Sequence, residues 1–124
     1  LNPEHTREER TEQWLALGER FGGGVDWSGL EAEHEAAWHR QLHPFEVPFY
    51  YIEYGIAQLG ALQMWLQYRN DPVSAIAAYK KGLSLGASKS LPTLFESSGL
   101  QFDFSAEMVG NLMKTVEEEL DNNA

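Results

Sequence analysis

Four side chains in the stretch HRQLHPFEVPFYYIEYGIAQLGALQMWLQY, residues 39–68, have types and spacings that suit chemistry: His43, Tyr50, Tyr51 and Tyr54. Tyr51 and Tyr54 stand at i, i+3 and Tyr50 and Tyr54 at i, i+4, so at least two phenols share one face of a helix. A phenol donates a hydrogen bond without carrying charge at neutral pH. Two such donors aimed at one point suit an oxyanion. His43 precedes that helix and reaches the same point if the Pro44–Pro48 segment folds back. Aromatics at helical spacing are more often plain core, and composition and spacing by themselves leave that reading ahead.

A metal reading competes with it. His34-Glu35-Ala36-Ala37-Trp38-His39 resembles the zinc-protease pattern H-E-x-x-H but has one residue too many. Histidines at i and i+4 share a helix face, whereas i and i+5 lie about 140° apart. A surface or interface pair on an amphipathic helix is the better reading. His39 and His43 are at i, i+4, and would share a metal only if one helix ran through both. A two-histidine site without a third ligand is weak. No metal ligand is therefore assigned. No Ser/His/Asp pattern, phosphate loop or dinucleotide fingerprint is present.

The elements that position these residues read as helices. Thr6-Arg7-Glu8-Glu9 has capping-box spacing and opens a helix to about Arg20, with Trp14, Leu17 and Phe21 along its apolar edge. Gly22-Gly23-Gly24 ends it. Ser28-Gly29-Leu30-Glu31 repeats the spacing and predicts a second helix to about Leu42, with Leu30, Ala37, Trp38 and Leu42 on one side. Pro44 disfavours helical geometry at His43, so a bend is expected there.

The third helix is predicted from about Val47 to Arg69. Its polar residues Glu53, Gln58, Gln63 and Gln67 do not gather on one face, so it reads as central and buried. Ile52, Leu59, Leu62 and Trp65 are its core candidates, and Gly55, Ala57, Gly60 and Ala61 allow close approach of neighbours. Asp71-Pro72 starts a fourth helix that Gly86 ends. Ser90 and Pro92 start a short fifth, closed by Gly99. Phe102-Asp103-Phe104 is expected to be extended, and Ser105 to cap a last helix with an apolar stripe of Val109, Leu112, Met113, Val116 and Leu120. The fold class is all-α: one domain over residues 1–124, a compact bundle of five to six helices around a central helix at about 47–69.

The 124 residues suit one modest core, and 43 % apolar content argues for folding rather than disorder. Nine basic residues stand against nineteen acidic ones, a net charge of −10. A phosphate backbone would be repelled by most of this surface, so neither nucleic acid nor an anionic membrane is an expected partner. Residues 49–68 have the length to span a bilayer but contain Glu53, Gln58, Gln63 and Gln67, which makes a transmembrane reading poor. The absence of cysteine removes disulfides, thiolate metal sites and a Cys nucleophile, and fits a cytoplasmic protein. The first residue is Leu rather than Met, which suggests processing or a fragment.

The segment HPFEVPFYYIEYGIAQLGALQMW, continued by NDPVSAIAAYKKGLSLGASKSLPTLFESSGLQFDFSAEMV, resembles the C-terminal region of the oligoendopeptidase F group of zinc metallopeptidases, related to thimet oligopeptidase. The resemblance covers about residues 38–120, and PFYYIEYG followed by AQLGA is its most specific part. It implies a mostly helical shell around a deep cleft. It also implies a zinc held by an H-E-x-x-H pair and a downstream Glu, with the motif's Glu as general base. A histidine and tyrosines from the C-terminal region face the zinc, bind the peptide and stabilise the tetrahedral intermediate. By position His43 matches that histidine. Tyr51 and Tyr54 match the Y-x-x-Y pair, with Tyr50 the alternative to Tyr51.

This chain has no H-E-x-x-H. The resemblance therefore implies a substrate-binding, transition-state-stabilising part of such a peptidase, inactive by itself and binding no zinc alone. Apolar surface meant for a missing part would need cover, and a homodimer would provide it. The reading from a different class is a helical interaction module without catalysis, suggested by the small–aromatic–Leu rhythm of AIAAYKKGLSLG.

Overall fold

Thr6 and Glu9 start the first helix by the reciprocal bonding that their spacing predicts. The Glu9 amide donates to Thr6 Oγ1 at 3.2 Å, and the Thr6 amide donates to the Glu9 carboxylate at 2.7 Å. In the computed structural model, which describes residues 3–123, α1 runs over Arg7–Phe21 and stops at Gly22, with Gly23 and Gly24 at positive φ. Further helices are α2 (Glu31–Ala36), α3 (His43–Glu46), α4 (Ile52–Asn70), α5 (Pro72–Ser84), α6 (Leu91–Ser97) and α7 (Ala106–Asn123), with a 3₁₀ turn over Ala37–Arg40. The fold is all-α, and no strand occurs among the described residues.

The chain forms two compact units, Leu1–Tyr50 and Tyr51–Ala124. In the first, α1 packs against α2. The Trp14 indole N–H donates to the His34 carbonyl at 2.8 Å, and the His34 ring lies flat on Trp27, 4.4 Å between centroids. The second predicted helix departs from expectation. Ser28 does not cap it, because its amide and hydroxyl both donate to Asp26 Oδ1. Leu30 becomes the N-cap, with no side-chain bond. The helix tightens into the 3₁₀ turn and ends at Gln41, whose ψ of 105° is extended. The bend thus falls at Gln41 rather than at His43. Pro44 sits in the first turn of α3, where a missing N–H costs little.

In the second unit α4 begins at Ile52, not near residue 47. The cause is local. Phe49 has φ 68°, left-handed geometry that a helix cannot contain and that a bulky side chain rarely adopts. From there α4 is the central element, packing against α5 and α7. Its burial is concentrated in its second half. Gly60 and Gln63 are buried, and Leu59, Leu62 and Trp65 half-buried, but Ile52 is 69 % exposed and so is no core residue.

Two glycines set the helix spacings. A Cβ on Gly60 would stand 3.0 Å from the Phe95 ring, and one on Gly82 would collide with Ser98 Oγ. The α5 cap forms as the spacing predicts: Asp71 Oδ1 accepts from the Val73 and Ser74 amides at 3.1 and 3.2 Å. Bonds from Leu100 N–H to Phe95 C=O and from Gly99 N–H to Glu96 C=O close α6, with Gly99 at φ 73°. The following segment, 101–105, is non-helical and is fastened to α4 by Gln63. That side chain donates to the Gln101 carbonyl at 3.0 Å and accepts from the Gln101 amide at 2.8 Å. Ser105 Oγ then accepts from the Met108 amide and starts α7. Leu112 is buried, while Met113 and Leu120 of the same stripe are exposed.

Candidate functional site

Helix α4 is entered through Tyr51, its N-cap residue, and carries Tyr54 in its first turn. The Tyr54 amide donates to the Tyr51 carbonyl at 3.3 Å, which holds the two residues one turn apart. Their rings lie 5.2 Å between centroids with planes 51° apart, an ordinary tilted aromatic pair. Neither ring is core: Tyr51 is 47 % and Tyr54 59 % exposed. The i, i+3 expectation therefore holds at the level of geometry. Two phenol rings sit side by side, each about half exposed. Paired phenols can donate to one carbonyl oxygen and follow it as it gains negative charge.

The remaining members of the sequence-predicted set, His43 and Tyr50, belong to the first unit. His43 opens α3 and is half-buried, and Tyr50 is half exposed, its amide donating to the Val47 carbonyl. His39 and His43 are not on one continuous helix, because the chain is extended at Gln41 between them. The shared-metal geometry considered for that pair is thereby lost.

Zinc does not fit the residues present. His34 is stacked on Trp27, and His39 packs edge-on against Trp38 at 4.2 Å. Among the described residues, no group of three or more His, Asp or Glu side chains gathers as metal ligands would.

Two concave surfaces accompany these residues. In the first unit a groove of about 740 Å³ lies among His5, Glu9, Glu12, Trp14 and Trp38. The Glu9 carboxylate there is already engaged in the α1 cap. In the second unit a groove of about 670 Å³ runs between α4, α5 and α6, lined almost wholly by apolar and small residues such as Ala57, Met64, Trp65, Ile76, Leu83 and Phe95. The sequence held one signal of it: small residues at Ala57, Gly60 and Ala61 of α4 and at Ala75, Gly82 and Gly86 beyond. That pattern reads as helices in close contact. The opening left between them depends on the third helix, which Phe95 brings against Gly60.

The shifted carboxylates all serve caps or turns. Hydrogen bonds from the Ser74 side chain and backbone, and from the Val73 amide, hold Asp71 below the usual carboxylate range. The Ser28 hydroxyl and amide do the same for Asp26, and the Gly29 amide, followed by its own, for Glu31. Among the described residues no helix is long and apolar enough to cross a membrane. No family model, no curated protein and no solved structure matches this chain.

Proposed function

We propose that this chain is a substrate-binding and transition-state-stabilising part of a zinc-dependent oligopeptidase of the oligoendopeptidase F group, cytoplasmic and acting on short peptides. The observation that supports this is the Tyr51–Tyr54 pair: two phenol rings 5.2 Å between centroids, half exposed at the start of the central helix. Their hydroxyls would donate to the peptide carbonyl oxygen and bind it more strongly as it becomes an oxyanion. The resemblance assigns His43 both to catalysis and to peptide binding, and Tyr50 to peptide binding as the alternative to Tyr51. The chain contains no H-E-x-x-H, so on this reading zinc and the general base come from outside these 124 residues.

The test uses a phosphinic peptide, whose tetrahedral anion mimics the intermediate, against the matching amide peptide. Wild type should favour the phosphinate, and Tyr54→Phe should remove that preference. A preference absent in wild type, or intact in Tyr51→Phe/Tyr54→Phe, sinks the proposal. So does stoichiometric zinc in the purified chain together with peptide cleavage, since the chain would then be a complete enzyme. In an enzyme containing this region, Tyr54→Phe should lower kcat more than it raises KM.

A second reading has its own observation. The apolar groove between α4, α5 and α6 is what a helical interaction module offers a partner. A homodimer would instead cover apolar surface left by a missing part, and Phe49, Ile52, Val73 and Leu83 stand well exposed. Light scattering at rising concentration tests it, and a constant monomer mass excludes it.

A further inference from the structure

We propose that the groove of the second unit receives an acidic amphipathic α-helix from a partner protein. This rests on the groove being a binding surface, the second reading above, and adds what it binds. The length comes first. Lining residues along α4 run from Ala57 to Tyr68, which at helical rise is ~16 Å, about three turns of a docked helix. Helices form the walls, and no strand among the described residues offers an edge for an extended peptide. An apolar groove of this length between helices matches the recognition mode in which a helix lays its apolar face into a groove.

Charge selects the helix. The chain carries a net −10, yet from Pro72 to Ser97 its cations are Lys80, Lys81 and Lys89 and its only acid is Glu96. Ile76 lines the groove, and Lys80, four residues on, stands about 40° from it round α5, next to the lining positions. Lys89 lies between Gly86 and Leu91, which both line the groove's end. Glu96 is about 100° round α6 from Phe95, away from the lining positions Leu91, Leu94 and Ser98. On the other wall the Arg69 guanidinium sits 5.0 Å over Trp65, a lining residue, and pairs with Glu119 at 2.7 Å. Lys80 and Lys89 have no ion-pair partner among the described residues. An apolar floor beside one cationic lip, at Lys80 and Lys89, complements a helix with an apolar face and an acidic flank.

Lys81 supplies an internal control. It lies about 200° from Tyr79 round α5, opposite the groove. The experiment titrates the full chain with three labelled helical peptides that share one apolar face and differ only in flanks of Glu, Gln or Lys. Fluorescence anisotropy at low salt reads the affinity. The Glu peptide should bind about tenfold tighter than the Gln peptide, and the Lys peptide most weakly. Lys80→Gln with Lys89→Gln should weaken the Glu peptide about fivefold and leave the Gln peptide unchanged. Lys81→Gln should change nothing, and high salt should shrink the preference.

Ile76→Asp and Leu83→Asp should abolish binding of all three. Both side chains are exposed, at 44 % and 61 %, so the fold should survive, as circular dichroism checks. Equal affinity for Glu and Gln peptides overturns the charge selection and leaves the groove as a binding surface. Binding of none overturns both. Binding that survives Ile76→Asp and Leu83→Asp places the peptide elsewhere and overturns the proposal. Self-association that Ile76→Asp abolishes, without peptide binding, gives the groove to a second copy and also overturns it.

Discussion

The two units are held together in different ways. In the first, none of the helices α1, α2 and α3 contains a buried residue. Its structure comes from a cap at Thr6, one indole-to-carbonyl bond from Trp14, and the stacking of Trp27 on His34. In the second, Ala75, Gly82, Gly60, Gln63, Ser98 and Leu112 are buried, and two helix contacts are close enough to require glycine. Local hydrogen bonding is sufficient to draw a helix. Close approach between helices fixes which side chains become interior, and an open groove remains between α4, α5 and α6. Apart from Gly22, where a Cβ would collide with the Gly18 carbonyl, the first unit should therefore tolerate change in its contacts, and the second should not.

Glycine-to-alanine changes test that contrast most strongly. Gly82→Ala drives a methyl into Ser98 Oγ and should lower stability by about 1–3 kcal/mol in a denaturant melt. Gly55, in the same unit but with open space around it, should gain about 0.5–1 kcal/mol from the same change. Gly18 in the first unit would meet the edge of the His34 ring at 3.0 Å, a contact that a shift of a few tenths of an ångström relieves, so Gly18→Ala should move stability by less than about 1 kcal/mol. A large loss at Gly18 would erase the distinction between the units.

Gln63→Ala comes next. It strips the Gln101 amide and carbonyl of their partner, at about 1–3 kcal/mol. Hydrogen exchange at the Gln101 amide should become fast while α5 keeps its protection. In the first unit Thr6→Ala should cost about 1 kcal/mol and loosen exchange only in the first turn of α1. Loss of protection across both units would show that they do not unfold separately.

The smallest effect is in pH. Hydrogen bonds in the α5 cap depress the Asp71 pKa in the folded chain. The unfolded chain then binds its proton first as pH falls. Asp71 adds stability above the ordinary carboxylate range and loses it as pH drops through the lowered value. Asp71→Asn should flatten that part of the acid limb in a melt-versus-pH series. An unchanged acid limb would mean that the cap carries no proton linkage.

Much of the helix punctuation was legible because its partners lie within three residues. Thr6 with Glu9, Asp71 with Val73 and Ser74, and Ser105 with Met108 bond as their spacing predicts. Ser28 with Glu31 has the same spacing and fails, because Asp26 is two residues away and takes both Ser28 donors. The start of α4 was missed by a few residues because Phe49 turns left-handed, which an aromatic side chain does not announce. At the candidate site, the Tyr51–Tyr54 neighbourhood followed from helical period alone. The groove did not, since it needs three helices and two close glycine contacts at once.

By itself, the sequence determined the all-α class, most helix ends and the pairing of two phenols one turn apart. Those features depend on backbone period and on hydrogen bonds between near neighbours, whose reach is a few residues. The tertiary structure decided that Gln63 is interior and Ile52 exposed, though polarity alone would order them the other way. It also set Ile76, Leu83 and Phe95 around one apolar groove rather than on separate surfaces. Burial depends on what the rest of the chain brings to a face, and a single helix repeat carries no record of that.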